Sequence, residues 1–363
     1  MLTAASRNIP SWTTAVPVLA LLALVPTWGT KPPGAILAVV GVLLGGAVFA
    51  AVHHAEVIAH RVGEPFGSLV LAVAVTIIEV GLIVTLMISG GSETDTLARD
   101  TVFAAVMITC NGILGLSILV AALRRHVAEF NAEGTASALA TVATLATLTL
   151  VLPRFTESAP GPEFTSGQLA FAAVAALALY ALFVVVQTVR HRDYFLPDEA
   201  EADPEAHAAP PTNRETITSF ALLAVALVAV VGLAKVESPA IGDAVSAIGA
   251  PASAVGVAIA LVVLLPETIA AVRNAARGRV QTSFNLAFGS AMASIGLTIP
   301  AIAVASIWLD GALVLGLGST EMVLLAITTV VGALTVLPGR ATLQEGGVHL
   351  VLFAAFLVLA ISP

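Results

Sequence analysis

Apolar residues in this chain come in long unbroken blocks, and the polar residues gather between the blocks. Each block is about 20 residues, enough to cross roughly 30 Å of hydrocarbon as a helix whose backbone satisfies its own hydrogen bonds. The strict alternation of a membrane β-barrel is absent. The pattern predicts eleven spans, at about 12–28, 34–58, 67–90, 101–123, 136–153, 167–189, 216–234, 252–273, 283–307, 312–336 and 346–362. Residues 239–251 fit either a short separate helix or the beginning of the eighth span.

Composition agrees. The chain has 363 residues, 58% hydrophobic and 10% charged, with a mean hydropathy of +1.01. Soluble domains carry about 25% charged residues, so this is an all-α polytopic membrane protein whose surroundings are a lipid bilayer. Its single cysteine, Cys110, excludes an intramolecular disulfide and a thiolate metal cluster. No signal-peptide pattern precedes a soluble domain. The formal charge of −8 comes largely from one acidic segment and does not suggest nucleic acid. Abundant Ala and Val with few Lys point to a prokaryotic cytoplasmic membrane. The oligomeric state, a homo-oligomer included, stays open.

The basic residues then sort by side. With the amino terminus inside, Arg7, Arg61, Arg124, Arg125, Arg190, Arg192, Arg214, Arg273, Arg277, Arg279 and Arg340 fall on the cytoplasmic side. Only Lys31, Arg99, Arg154 and Lys235 fall outside, as the positive-inside rule requires. Residues 1–30 then hold a peripheral helix, 31–190 a first set of five spans, 191–215 a cytoplasmic acidic linker, and 216–363 a second set. In the linker Asp193, Asp198, Glu199, Glu201, Asp203 and Glu205 precede Pro210 and Pro211. A solvated connector explains it, with a weak calcium-attracting or regulatory segment as the alternative. No twelve-residue calcium loop is present.

Glu79 lies in the second span of the first five and Glu267 in the second span of the second five, and these two spans cross in opposite directions. That is the signature of inverted-topology repeats, whose substrate sites form where the repeats meet near the midplane. A carboxylate at such depth costs at least about 2.5–3.5 kcal/mol on insertion scales, so both acids point to function. Near the first, Asn111 offers a carboxamide oxygen, and Gly112 and Gly115 allow close helix approach. Near the second, Pro266 removes a backbone donor just before Glu267, and Gly289, Ser290 and Ser294 follow on the next span. Carboxylate, amide, hydroxyl and carbonyl oxygens are what hard cations such as Ca²⁺, Na⁺ and K⁺ prefer. Two carboxylates brought together in a low-dielectric site resist ionising at once, and would accept either a metal or protons. The competing explanation is packing: ion-paired or protonated glutamates, a snorkelling Glu267, and helix-to-helix hydrogen bonds from Asn111, Ser290 and Ser294.

Other ionisable groups are secondary. His53, His54, Glu56 and His60 gather at the end of the second span, where they fit interface anchoring or proton entry. Glu64, before Pro65, marks a boundary. Asp243 and Glu321 sit near outer ends, with Glu321 placed to line an exit path, and His349 opens the last span at the interface.

At these residues the chain resembles the calcium/cation antiporter superfamily, in particular its cation/proton exchanger branch and the bacterial ChaA-type antiporters. The likeness runs through HHAEVIAHRVGEPFGSLVLAVAVTIIEV (53–80), LLPETIAAVRNAARGRVQTSFNLAFGSAMASIGLTIPA (264–301) and ATLQEGGVHLVLF (341–353). It implies eleven spans in two inverted repeats with an acidic connector. It also implies that Glu79 and Glu267 are the essential glutamates, Gly289 and Ser290 the Gly-Ser of the second repeat, and Asn111 the asparagine of the first. The chain departs from the branch in having VTIIE and LLPE around its glutamates, and Val106-Met107 where the first repeat has Gly-Ser. The expectation is a secondary active antiporter exporting Ca²⁺ against protons with no cofactor, Glu79, Glu267, His53 and His54 carrying proton coupling. A Na⁺(K⁺)/H⁺ exchanger is the alternative. An intramembrane enzyme is remote, since HExxH is missing and no nucleophile accompanies the acids.

Overall fold

The computed structural model describes residues 11–63, 66–90, 95–196, 211–247, 249–308 and 312–362, with the backbone alone at 66, 68, 69, 89 and 90. The expectations at Arg7, Glu64 and Pro65, and at residues 197–210 of the acidic segment, lie outside it. The described chain is built from helices: α1 Trp12–Thr27, α2 Gly34–Val62, α3 Phe66–Gly90, α4 Leu97–Arg125, α5 Ala132–Arg154, α6 Ser166–Arg190, α7 Asn213–Ala247, α8 Ser253–Ala276, α9 Val280–Ala305, α10 Ser319–Val336 and α11 Leu343–Ile361. Ten of them are long and apolar enough to cross a membrane. The helix α1, at 16 residues, is shorter than a typical span.

Two boundaries differ from the sequence pattern. Residues 239–247 form neither a separate helix nor the start of the eighth span but continue α7, which contains Pro239. A proline inside a helix removes one hydrogen bond, and packing on the flanking turns holds the rod together. The tenth span begins at Ser319, not near 312. Gly316 N–H and Leu317 N–H donate to the carbonyls of Pro162 and Leu150, so this apolar stretch is tied in extended form to the end of α5 and to the connection that follows it.

The chain forms two compact units. The first comprises residues up to Ala74 and Pro210–Glu237. In it α1, α2 and α7 are joined through His54 of α2, whose Nε2 lies 3.0 Å from the Thr13 carbonyl and whose Nδ1 lies 3.2 Å from Ser219 Oγ. Arg61 donates to Asn213 Oδ1 at 2.6 Å, and Lys235 Nζ sits 5.0 Å above the Trp28 ring.

The second unit comprises Val75–Ala209 and Ser238–Pro363. Its centre is α4, the most thoroughly buried span. A Cβ on Gly256 of α8 would lie 2.9 Å from the Thr101 nitrogen and 3.0 Å from Asp100 Cβ, so only glycine lets α8 cross α4 at backbone distance. Thr165 and Thr342 cap α6 and α11 in reciprocal boxes with Gln168 and Glu345, which settles where these helices start.

Loops expected on a common side do meet within this unit. At one end Ala128 pairs with Ala341 and Glu129 with Arg340 in a two-residue antiparallel ribbon, and Arg124 donates to the Ala276 carbonyl. At the other end Val314 N–H donates to Asp95 O, and Arg99 donates to Gly316 O. Leu86, late in α3, lines the same cavity as Ala252, just before α8. The helices carrying Glu79 and Glu267 therefore run in opposite senses.

Candidate cation site

Glu79 is buried on α3, 3% exposed, with a hydroxyl at each carboxylate oxygen. Ser294 Oγ donates to Oε1 at 2.6 Å and Thr298 Oγ1 donates to Oε2 at 3.1 Å. The two hydroxyls are four residues apart on α9, so one helical turn presents both to the same acid. The α-helical run breaks at Leu297 between them, with Val280–Gly296 on one side and Thr298–Ala305 on the other. Each hydroxyl keeps acceptor lone pairs while it donates. A rotation about its C–O bond therefore converts a carboxylate donor into a cation ligand. Two carboxylate and two hydroxyl oxygens make a donor set of the kind hard cations select.

Ser294 is where the sequence pointed; Thr298 is a residue it missed. The available signal was the spacing, since a polar residue four positions after Ser294 shares its helix face.

Glu267 is buried on α8, 6% exposed, directly after Pro266. Pro266 supplies no N–H for the Val262 carbonyl one turn earlier. Gly289 and Ser290 are half-buried on α9. A Cβ built on Gly289 would meet no heavy atom within 4 Å, so this glycine leaves room beside the helix instead of admitting a neighbour. Ser290 and Ser294 share a helix face.

Asn111 makes side-chain hydrogen bonds to other helices. It lies in a π-helical turn, Ile108–Ile113, inside α4, a wide-turn element frequent at functional sites. Its Nδ2 donates to Thr328 Oγ1 of α10 at 2.9 Å, and its Oδ1 lies 3.1 Å from His349 Nδ1 of α11. His349 is fully buried, not interfacial as the sequence suggested. The helix opens at Leu343 with its cap at Thr342, which carries His349 nearly two turns inward against Gly115.

The histidine pair of α2 divides. His53 is exposed, while His54 is the buried link between α1 and α7. Two further acids emerge. Asp100 of α4 is buried, pairs with Arg99 at 2.7 Å and accepts from Thr96 Oγ1 at 2.8 Å. It lines a cavity of about 450 Å³ with Ser238, Gly242 and Ser246, and with Glu321 it lines a second, smaller one. Glu237 of α7, which hydropathy places beyond a span, is buried, and its Oε1 has no hydrogen-bond partner among the described residues. Also among the described residues, no three His, Cys, Asp or Glu side chains gather as a metal-binding group. Any cation held here relies on hydroxyl, amide and backbone oxygens beside the glutamates.

Known proteins resemble this chain in sequence and in fold. The chain is 45% identical over 362 residues to the y4hA protein of Sinorhizobium fredii, covering 99% of this chain and 98% of that one. It is 33% identical over 350 residues to the sodium-potassium/proton antiporter ChaA of Escherichia coli, covering 94% of each. The crystal structure of the H⁺/Ca²⁺ exchanger CAX superposes with a TM-score of 0.69 at 18% identity, covering 95% of this chain and 86% of that one, which establishes a common fold. The sequence pattern of the family described as sodium/calcium exchanger protein matches residues 33–189 and 218–362. These relatives are ion transporters or exchangers and not enzymes, and the chain belongs to the sodium/calcium exchanger protein family, within its calcium/cation antiporter branch.

Proposed function

We propose that the protein is a cation/proton antiporter in which Glu79 and Glu267 bind either a cation or protons, and that exchange proceeds by alternating access. The observation that carries this is Glu79, a fully enclosed carboxylate on one helix whose two oxygens meet the hydroxyls of Ser294 and Thr298 on another. A cation at this position gains four oxygens from two helices; with protons there instead, the same hydroxyls hydrogen-bond a neutral acid. Glu267, in a helix of opposite sense, supplies the second carboxylate. Competition between the two ligands gives antiport so long as the empty, charged site does not cross.

Ca²⁺ is the cargo of the first reading, because two carboxylates neutralise one divalent ion. Na⁺ or K⁺ is the second, favoured by the relative at 33% identity that is named a sodium-potassium/proton antiporter. The two five-helix sets act as inverted repeats in the bacterial cytoplasmic membrane, with the amino terminus and the acidic connector on the cytoplasmic side, where most arginines lie.

The test is pH-gradient-driven uptake of radiolabelled Ca²⁺, and separately of Na⁺ and K⁺, by everted membrane vesicles. Glu79→Gln and Glu267→Gln are expected to abolish uptake of the transported ion while the protein stays in the membrane fraction. Uptake unchanged in both variants would end the proposal. The ion that competes best with the others decides between the two readings.

A further inference from the structure

A buried histidine with a partner on each ring nitrogen stands apart from the glutamates. His349 has no exposed surface, its Nδ1 lies 3.1 Å from Asn111 Oδ1, and its Nε2 lies 3.1 Å from Thr335 Oγ1. The carboxamide oxygen only accepts, so Nδ1 carries the proton of this contact. In the neutral ring Nε2 then accepts from the Thr335 hydroxyl. Beyond Asn111 the direction continues: Nδ2 donates to Thr328 Oγ1, and the Thr328 hydroxyl points to Met107 Sδ at 3.6 Å. The result is a one-way chain through three helices, Thr335 to His349 to Asn111 to Thr328, in which every polar atom of the Asn111 side chain is directed.

Packing imposes this contact. A Cβ on Gly115 would come within 3.0 Å of His349 Cβ, and one on Gly346 within 2.9 Å of the Leu119 nitrogen. A Cβ on Gly112 would lie 3.4 Å from the Phe353 ring. Bare backbone on both helices draws α11 onto α4, and the histidine is set down on the π-turn that holds Asn111. Histidine suits the place: it reaches Asn111 and Thr335 at once, which an aliphatic side chain of similar bulk does not.

We propose that His349 is a positioning residue for the cation site. By donating to Asn111 Oδ1 it fixes which end of the carboxamide is oxygen, while the second lone pair of that oxygen is left for a hard cation. The inference rests on the reading that Asn111 ligates the transported ion. Outer partners of this kind orient a ligand, and their loss typically costs ~10–100-fold in metal affinity.

The test measures KM and maximal rate for radiolabelled Ca²⁺ and Na⁺ uptake in vesicles containing the full chain. His349→Leu is expected to raise KM about tenfold or more for the transported ion with a smaller change in maximal rate. His349→Gln, whose amide offers an N–H and a C=O, is expected to recover most of the affinity. Thr335→Val, which removes the far end of the chain at constant size, is expected to raise KM by a smaller factor, about threefold. Should His349→Leu fail to reach the membrane, the Gln and Val variants still decide the matter. Equal KM increases for Leu and Gln would make the role one of packing and overturn the proposal, as would wild-type KM in Thr335→Val. Asn111→Ala separates the two levels of inference. A wild-type KM there removes both the ligand reading of Asn111 and the positioning role. A raised KM there with unchanged KM in His349→Leu removes the positioning role alone.

Discussion

Each of the two units buries a histidine and a glutamate, and the partners they meet differ in kind. In the first unit His54 ties a backbone carbonyl of α1 to a serine of α7, and Glu237 keeps one oxygen without a hydrogen bond among the described residues. In the second, His349 addresses a carboxamide and a threonine, and Glu79 has a hydroxyl on each oxygen. The Thr13 carbonyl on one side of His54 is held by the backbone and cannot turn away, which leaves only the Ser219 hydroxyl free to rotate. The hydroxyls on Glu79 can rotate and exchange a hydrogen bond for a cation, and the Asn111 oxygen keeps a second lone pair beside its bond to His349. The residue type alone assigns neither role; the rotatable or fixed nature of the partner does.

The largest test of that contrast sets acid against acid. Glu79→Gln is expected to cost exchange by at least about 100-fold, since it removes a ligand and not merely its support. Glu237→Gln is expected to change exchange by no more than about twofold, because its unserved oxygen costs ~1–3 kcal/mol in either form and supports no ligand set. Comparable losses in the two variants would erase the distinction. Next come the hydroxyls. Ser294→Ala is expected to weaken apparent cation affinity by about tenfold and Thr298→Val by about threefold, in the order of their distances to Glu79. A reversed order, measured by KM in vesicles, would show that Oε2 faces the ion. The smallest effect is in the first unit. His54→Leu is expected to leave KM within about twofold of wild type and to reduce stability by roughly 1–2 kcal/mol, the loss of two interhelical hydrogen bonds. Thermal unfolding in detergent reads the second quantity. A KM shift without a stability loss would move His54 into the transport machinery.

Much of the fold was legible because a bilayer leaves little choice. An apolar run of about 20 residues in hydrocarbon must close its own backbone hydrogen bonds, so hydropathy located ten spans and α1 before any coordinates. It erred where apolar character and helical state part company. Residues 312–318 are apolar yet extended, because Gly316 and Leu317 hydrogen-bond to the carbonyls of Pro162 and Leu150. Residues 239–247, which fitted a short separate helix or the beginning of the eighth span, instead continue α7. The acids were equally visible, since Glu79 and Glu267 interrupt stretches that tolerate almost no charge.

By itself, then, the sequence determined the number of helices, the opposite senses of the spans bearing Glu79 and Glu267, and the choice of oxygen-bearing residues near them. Only the tertiary structure decided the partners: Ser294 and Glu79 are separated by 215 positions and His349 and Asn111 by 238. The reason is physical. Span formation depends on the local cost of exposing backbone and charge to lipid, which each segment carries in its own composition. Which face of α9 meets α3 depends on packing between segments far apart in the chain, and which turn of α11 settles on α4 depends on where Gly115 and Gly346 coincide. No single stretch of the chain holds that information.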